Sequence, residues 1–195
     1  MIFIGVLKVI IDNWIENNIK GIINNRRWLH QHPEIGFKEI ETSNYCFNKA
    51  TDYGFRPVQK KSMKTGFYAD QGTDKSKTLA LRCDMDALPI TEKSNLLYKS
   101  KNDGYSHACG HDVHMAIQLG VMKFFSDKKI NGILRFIFQP AEEMAPGGAL
   151  CMIDSGAIEG IDVILGGHVQ PKLEAGYIGL KSGPIAAHVD IIEID

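Results

Sequence analysis

The sequence has no apolar run long enough to cross a membrane: the first one, MIFIGVLKVII, is interrupted at Lys8. No basic residues precede that run and no small-x-small site follows it, so it does not read as a cleaved leader and fits the lead-in to a helix. Charge of either sign is not in excess. Lys and Arg total 22 against 23 Asp and Glu, a net charge of −1, which advertises no basic face and excludes nucleic acid as an expected partner. The four cysteines, Cys46, Cys83, Cys109 and Cys151, follow no disulfide framework, and reduced thiols in a cytoplasm are expected. Internal repeats, low-complexity tracts and long linkers are also missing. With 195 residues the chain can hold one full hydrophobic core.

What is there alternates between helix and strand. Ile11, Trp14, Ile15, Ile22 and Leu29 recur at helical spacing, predicting a helix over about 9–31 that Pro33 stops. A second helix is expected over about 39–53, ending at Gly54, and a short strand around Gly66–Asp70. Thr78–Arg82 reads as a buried-type strand and Gly132–Phe138 and Asp162–Leu165 as further strands, with helices after Asp112 and from Gly147. Gly176–Lys181 and Ala187–Asp195 read as further strands, the last one breaking off at the end of the sequence, as in a truncated chain. Alternation of this kind predicts an α/β layered fold with a largely parallel mixed sheet flanked by helices. Such folds bind ligands beyond the carboxyl ends of their strands.

Three of those strands run directly into residues that carry chemistry. The first is followed by Asp84-Met85-Asp86, whose alternation puts both aspartates on one side; one of them could orient a ligating histidine, or simply occupy a turn. The second is followed by Gln139-Pro140-Ala141-Glu142-Glu143. Two carboxylates beside a core are costly without a cation, and adjacent residues pointing in different directions suit a metal ligand and a proton acceptor; a solvated acidic loop is the alternative. The third is followed by Gly166-Gly167-His168. Between them lies His107-Ala108-Cys109-Gly110-His111-Asp112-Val113-His114, where thiol and imidazole flank a glycine at a helix start. Both are good ligands for zinc and neighbouring metals, and a helix N-terminus is expected to lower the thiol's pKa; a buried cysteine and a turn histidine are the plain alternative. Asp112 is the expected helix cap.

CDMDALPI, HACGHDVHMA, FQPAEE and GGHV, in this order and at these separations, closely resemble the aminoacylase-like metallopeptidases. The branch is that of hippurate hydrolases, N-acetyldiaminopimelate deacetylases and plant indole-acetyl-amino-acid hydrolases, and RWLHQHPEIGFKEIET and LKSGPIAA are similar to it as well. The resemblance implies a zinc-peptidase-like catalytic domain holding two divalent metal ions, zinc or manganese first, cobalt or nickel next. It implies Cys109, His111, Glu143 and His168 as metal ligands, Glu142 as general base and Asp86 as the aspartate that orients the metal site. The implied reaction is hydrolysis of the amide bond of a small N-acyl amino acid by metal-activated water, in an enzyme that is a homodimer or monomer and does not touch membranes. Alternatives are an inactive metal-binding fragment and a metallo-carboxypeptidase or dipeptidase; Cys109 stands where those usually carry aspartate. His107 and His114 match no ligand, and Cys83 reads as core. Family chains are about twice this long, so residues 1–186 are expected to be the N-terminal part of the catalytic domain. Residues 187–195 would begin a lid or dimerisation domain, with a fifth ligand and a substrate-binding histidine supplied further on.

Overall fold

The computed structural model describes residues 2–74 and 76–185. The expected strand over Ala187–Asp195, and with it the expected domain boundary near 186–187, lies outside the described residues. Among the described residues, four α-helices and four strands follow one another as α1 (Ile2–Gln31), α2 (Ile40–Asp52), β1 (Phe67–Gln71), β2 (Thr78–Asp84), α3 (His111–Phe125), β3 (Ile133–Gln139), α4 (Gly148–Asp154) and β4 (Val163–Gly166). No described helix is long and apolar enough to cross a membrane.

The four strands form one sheet in the order β1-β3-β2-β4. β2 runs parallel to both β3 and β4, while β1 is antiparallel to β3. The sheet is therefore mixed with a parallel centre, as the alternation predicts. Strand pleating sends alternate residues of β3 to opposite faces. Leu134, Phe136 and Phe138 join Leu29 of α1, Cys46 of α2 and Met115, Leu119 and Met122 of α3. Ile137 and Ala80 face the other way, onto Met63, Met152 of α4 and Ala157. Phe67 and Phe138 are register partners and stack with centroids 4.4 Å apart. Burying each of these rings contributes roughly 1.5–3 kcal/mol. Cys83 is buried in this core.

Three local expectations need correction. α3 is not capped by Asp112: its N-cap is Gly110, with no side-chain cap bond. The Asp112 carboxylate turns inward instead, 2.8 Å from His30 Nδ1 and 2.8 Å from Arg26 Nε. Gly176–Lys181 forms no strand, because Tyr177, Ile178 and Leu180 are exposed and no strand pairs with them among the described residues. The first helix begins well before residue 9, at Ile2.

Candidate metal centre

β2, β3 and β4 end on the same side of the sheet, because they are mutually parallel. Their following loops and the start of α3 thus meet in one place. Gly110 makes that meeting possible. Its φ is +85°, and a Cβ there would strike the Val169 side chain. Only glycine allows α3 to start in this conformation with the His168 loop so close.

His111 stands at the centre and is fully buried. Its Nδ1 lies 2.8 Å from the Asp86 carbonyl oxygen, which can only accept, so Nδ1 carries the proton and Nε2 presents a lone pair. Among the described residues, that lone pair has no hydrogen-bond partner. Around it lie Glu143 Oε1 at 3.6 Å, Asp84 Oδ1 at 3.7 Å and Glu142 Oε2 at 3.9 Å. Burial disfavours positive charge on His111, but Asp86, Asp84 and Glu143 outweigh it and raise the pKa, so the surroundings favour a cation at Nε2, whether a proton or a metal ion. Acceptors facing an acceptor repel one another unless a cation stands between them, so this donor set fits a metal ion.

His168 repeats the arrangement on the exposed side. Its Nδ1–H is donated to the Val169 carbonyl at 2.7 Å, which leaves Nε2 facing Cys109 Sγ at 3.2 Å. Cys109, His111 and His168 offer ligand atoms within 4.8 Å of one another, and so do His111, Glu142 and Glu143. A third such group, Asp84, His111 and His114, differs because His114 has no free nitrogen. Its Nδ1–H is donated to Asp84 Oδ1 at 2.6 Å, and its Nε2 accepts the Val169 N–H at 3.0 Å.

Asp86 sits beneath, fully buried. Oδ1 is 3.4 Å from His111 Nδ1 and Oδ2 accepts the Glu143 N–H at 2.9 Å. Burial alone would raise its pKa, but His111 and the Glu143 and Glu142 amides lower it. Asp84 is likewise buried, yet His114, His111 and Arg82 together hold it at about 2. Arg82 reaches Asp84 at 2.6 Å and Gln139 at 3.0 Å, tying the ends of β2 and β3 together.

All six residues singled out in the sequence therefore lie in one cluster, but two expectations about their chemistry change. Glu142 and Glu143 do not diverge. Ala141 takes a left-handed φ of 45°, and both carboxylates that follow it lie near His111 Nε2, at 3.9 and 3.6 Å. The Cys109 thiol is not acidified by the helix start. Burial, then Glu143, Glu142 and Asp84, push it up to about 12, so the thiolate needs a cation beside it. His114 was missed as a structural partner, although its place three residues after His111 puts both on one helical face. His107 is also buried with both ring nitrogens unpartnered, and burial brings its pKa down to about 4. A groove of about 270 Å³ between α1 and α3, lined by Ile22, Arg26, Tyr98 and Ile117 among others, contains none of these residues.

Residues 80–194 match the peptidase family M20/M25/M40. An N-acetylcysteine deacetylase of Bacillus subtilis is 42% identical over 176 residues, which are 89% of this chain and 46% of that protein. An N-acyl-L-amino acid amidohydrolase of Geobacillus stearothermophilus is 40% identical over 171 residues, 87% of this chain and 46% of the relative. Among solved structures, a dinuclear-metal-binding peptidase of family M20 from Bacillus subtilis superposes with a TM-score of 0.81 at 40% identity, over 85% of this chain and 47% of the other. The chain spans about half the length of the curated relatives it matches.

Proposed function

The chain belongs to the peptidase family M20/M25/M40, and from that premise we propose that it forms the metal-binding part of an enzyme hydrolysing the amide bond of small N-acyl amino acids. The carrying observation is the buried His111 Nε2 lone pair, without a donor and ringed by three carboxylates. In this reading Cys109, His111, Glu143 and His168 hold two divalent ions, zinc or manganese. When bound, the ions acidify water and polarise the amide carbonyl.

The remaining work falls to this chain's own side chains. Asp86 keeps the Nδ1 proton on His111 and so keeps Nε2 turned into the site. Its second oxygen holds the Glu143 amide. The Glu142 side chain, 43% exposed, is open to water. It takes a proton from water as the oxygen adds to the amide carbon, and it returns that proton to the amine nitrogen as the C–N bond breaks. The relatives named for deacetylation and for N-acyl amino acids support this substrate class.

Glu142→Gln in the full-length protein that carries these residues tests the reading. Release of amine from N-acetyl amino acids should fall by roughly 10²–10⁴-fold, the usual contribution of a general base, while metal content is retained. Unchanged turnover would remove Glu142 from the role.

A further inference from the structure

Glu39 has no place in the chemistry above, yet it is a fully buried carboxylate. It occupies the N-cap position of α2 and makes no cap bond there. The capping is done by Glu34, whose carboxylate accepts the Glu41 and Thr42 amides at 3.2 and 2.8 Å. The Glu39 carboxylate is thereby released for another use, and both its oxygens are occupied. Oε2 accepts the Thr65 hydroxyl at 2.7 Å, and Oε1 accepts the Ala141 N–H at 2.7 Å.

Ala141, with its left-handed φ of 45°, immediately precedes Glu142 and Glu143, whose carboxylates lie 3.9 and 3.6 Å from His111 Nε2. That conformation is unfavourable for alanine and persists only where its surroundings enforce it. Its amide is held by Glu39, and its carbonyl accepts the Gly148 N–H at 2.8 Å. Neighbouring residues grip the same region. The Glu34 carbonyl accepts the Ala87 N–H at 2.8 Å, next to Asp86. A Cβ on Gly36 would collide with Met144 and crowd Ala141, so this segment lies directly against the loop.

We propose that Glu39 is a positioning residue of the metal centre: its buried carboxylate fixes the left-handed turn at Ala141 and so aims Glu142 and Glu143 at His111. The segment Glu34–Glu39, far from the site in sequence, then sets the loops after β2 and β3 relative to each other. This rests on reading His111, Glu142 and Glu143 as metal ligands and base.

The test compares wild type with Glu39→Gln, Glu39→Leu and Thr65→Val in the full-length protein. Glutamine can still accept the Ala141 amide and donate to the Thr65 oxygen, whereas leucine can do neither. Manganese affinity, measured calorimetrically, should fall by roughly 10–100-fold in Glu39→Leu and stay near wild type in Glu39→Gln. Hydrogen exchange at the 141–143 amides should rise most in the leucine variant, less in Thr65→Val, and stay at the wild-type level in Glu39→Gln, with or without metal. Thr65→Val should weaken affinity in the same direction, by less, and carries the test if Glu39→Leu does not fold. Wild-type affinity and exchange in Glu39→Leu or, failing that, in Thr65→Val, would overturn the proposal; so would a glutamine variant as impaired as the leucine one. If wild type bound manganese and cleaved no N-acyl amino acid, the functional reading would fall while these affinities still judged Glu39. If wild type bound no manganese, the exchange pattern would judge it.

Discussion

β3 and β4 belong to one sheet but live in different surroundings. Six of the seven residues of β3 are buried, whereas all four of β4 are exposed, Val163, Ile164 and Leu165 each by just over half. The difference extends to the loops they carry. The loop after β3 is fastened through Ala141 to Glu39 and through Glu143 to Asp86. The loop after β4 carries His168, which is itself exposed, and its links into the rest of the site are the Val169 N–H on His114 and Cys109 beside His168. One side of the candidate centre is thus pre-organised by a packed core, and the other side is tethered to it. A metal ion spanning Cys109, His111 and His168 would bind the tethered side to the anchored one, coupling metal binding to local order.

Phe136→Ala empties a site in the middle of the core and should cost about 3–5 kcal/mol of unfolding free energy. Leu165→Ala removes a half-exposed side chain from β4 and should stay within about 0.5 kcal/mol. Urea unfolding of the two variants measures both. Similar losses would mean that β4 shares the core after all.

A smaller effect is expected at the tether. His114→Phe removes both the Asp84 acceptance and the Val169 bond, and should weaken metal affinity by about 10–100-fold. His114→Gln can still accept the Val169 amide and should recover part of that loss. Titration calorimetry with manganese or zinc separates them. If the phenylalanine variant bound metal like wild type, the His168 loop would not depend on this tether, and the two sides of the site would be equivalent.

Why some of this was legible in the sequence and some was not follows from the range of the forces involved. β3 was visible because it is buried on both faces, so that apolar residues crowd both sides of Arg135 instead of alternating with polar ones. The acidic and histidine residues after β2, β3 and β4 were visible because polar groups stand out immediately beyond mainly apolar strands. Glu39, by contrast, looks like an ordinary acidic residue at a helix start. Its partner Ala141 is 102 positions away, and no local pattern records such a pairing. The direction of the Cys109 shift was misread for a related reason. The helix start is a local feature, but Glu143, Glu142 and Asp84 arrive from other segments and dominate. Asp112 misleads in the same way: the pattern marks a cap, and the fold delivers Arg26 and His30 instead.

The smallest expected effect concerns that Asp112 cluster, at the foot of α3 on the anchored side. His30 Nδ1 lies 2.8 Å from Asp112 Oδ2 and Nε2 lies 3.2 Å from Glu92 Oε1. Both partners are carboxylates, which only accept when ionised, so the ring is suited to carry both protons. The Asp112 bond raises the His30 pKa first, burial opposes it, Glu92 adds to it and Arg26 subtracts. A histidine whose folded pKa is raised contributes stability that is fully present below the unfolded value of about 6.5, and that contribution is lost as pH rises through the folded value. Asp112 has a lowered pKa and stays ionised throughout that window, so it does not mask the change. The melting-temperature gap between wild type and His30→Gln should therefore be widest near about pH 6 and narrow towards about pH 9. A gap that stayed constant would show that His30 acts here only as a neutral, packed ring, and that the anchored side of the site owes nothing to this charge.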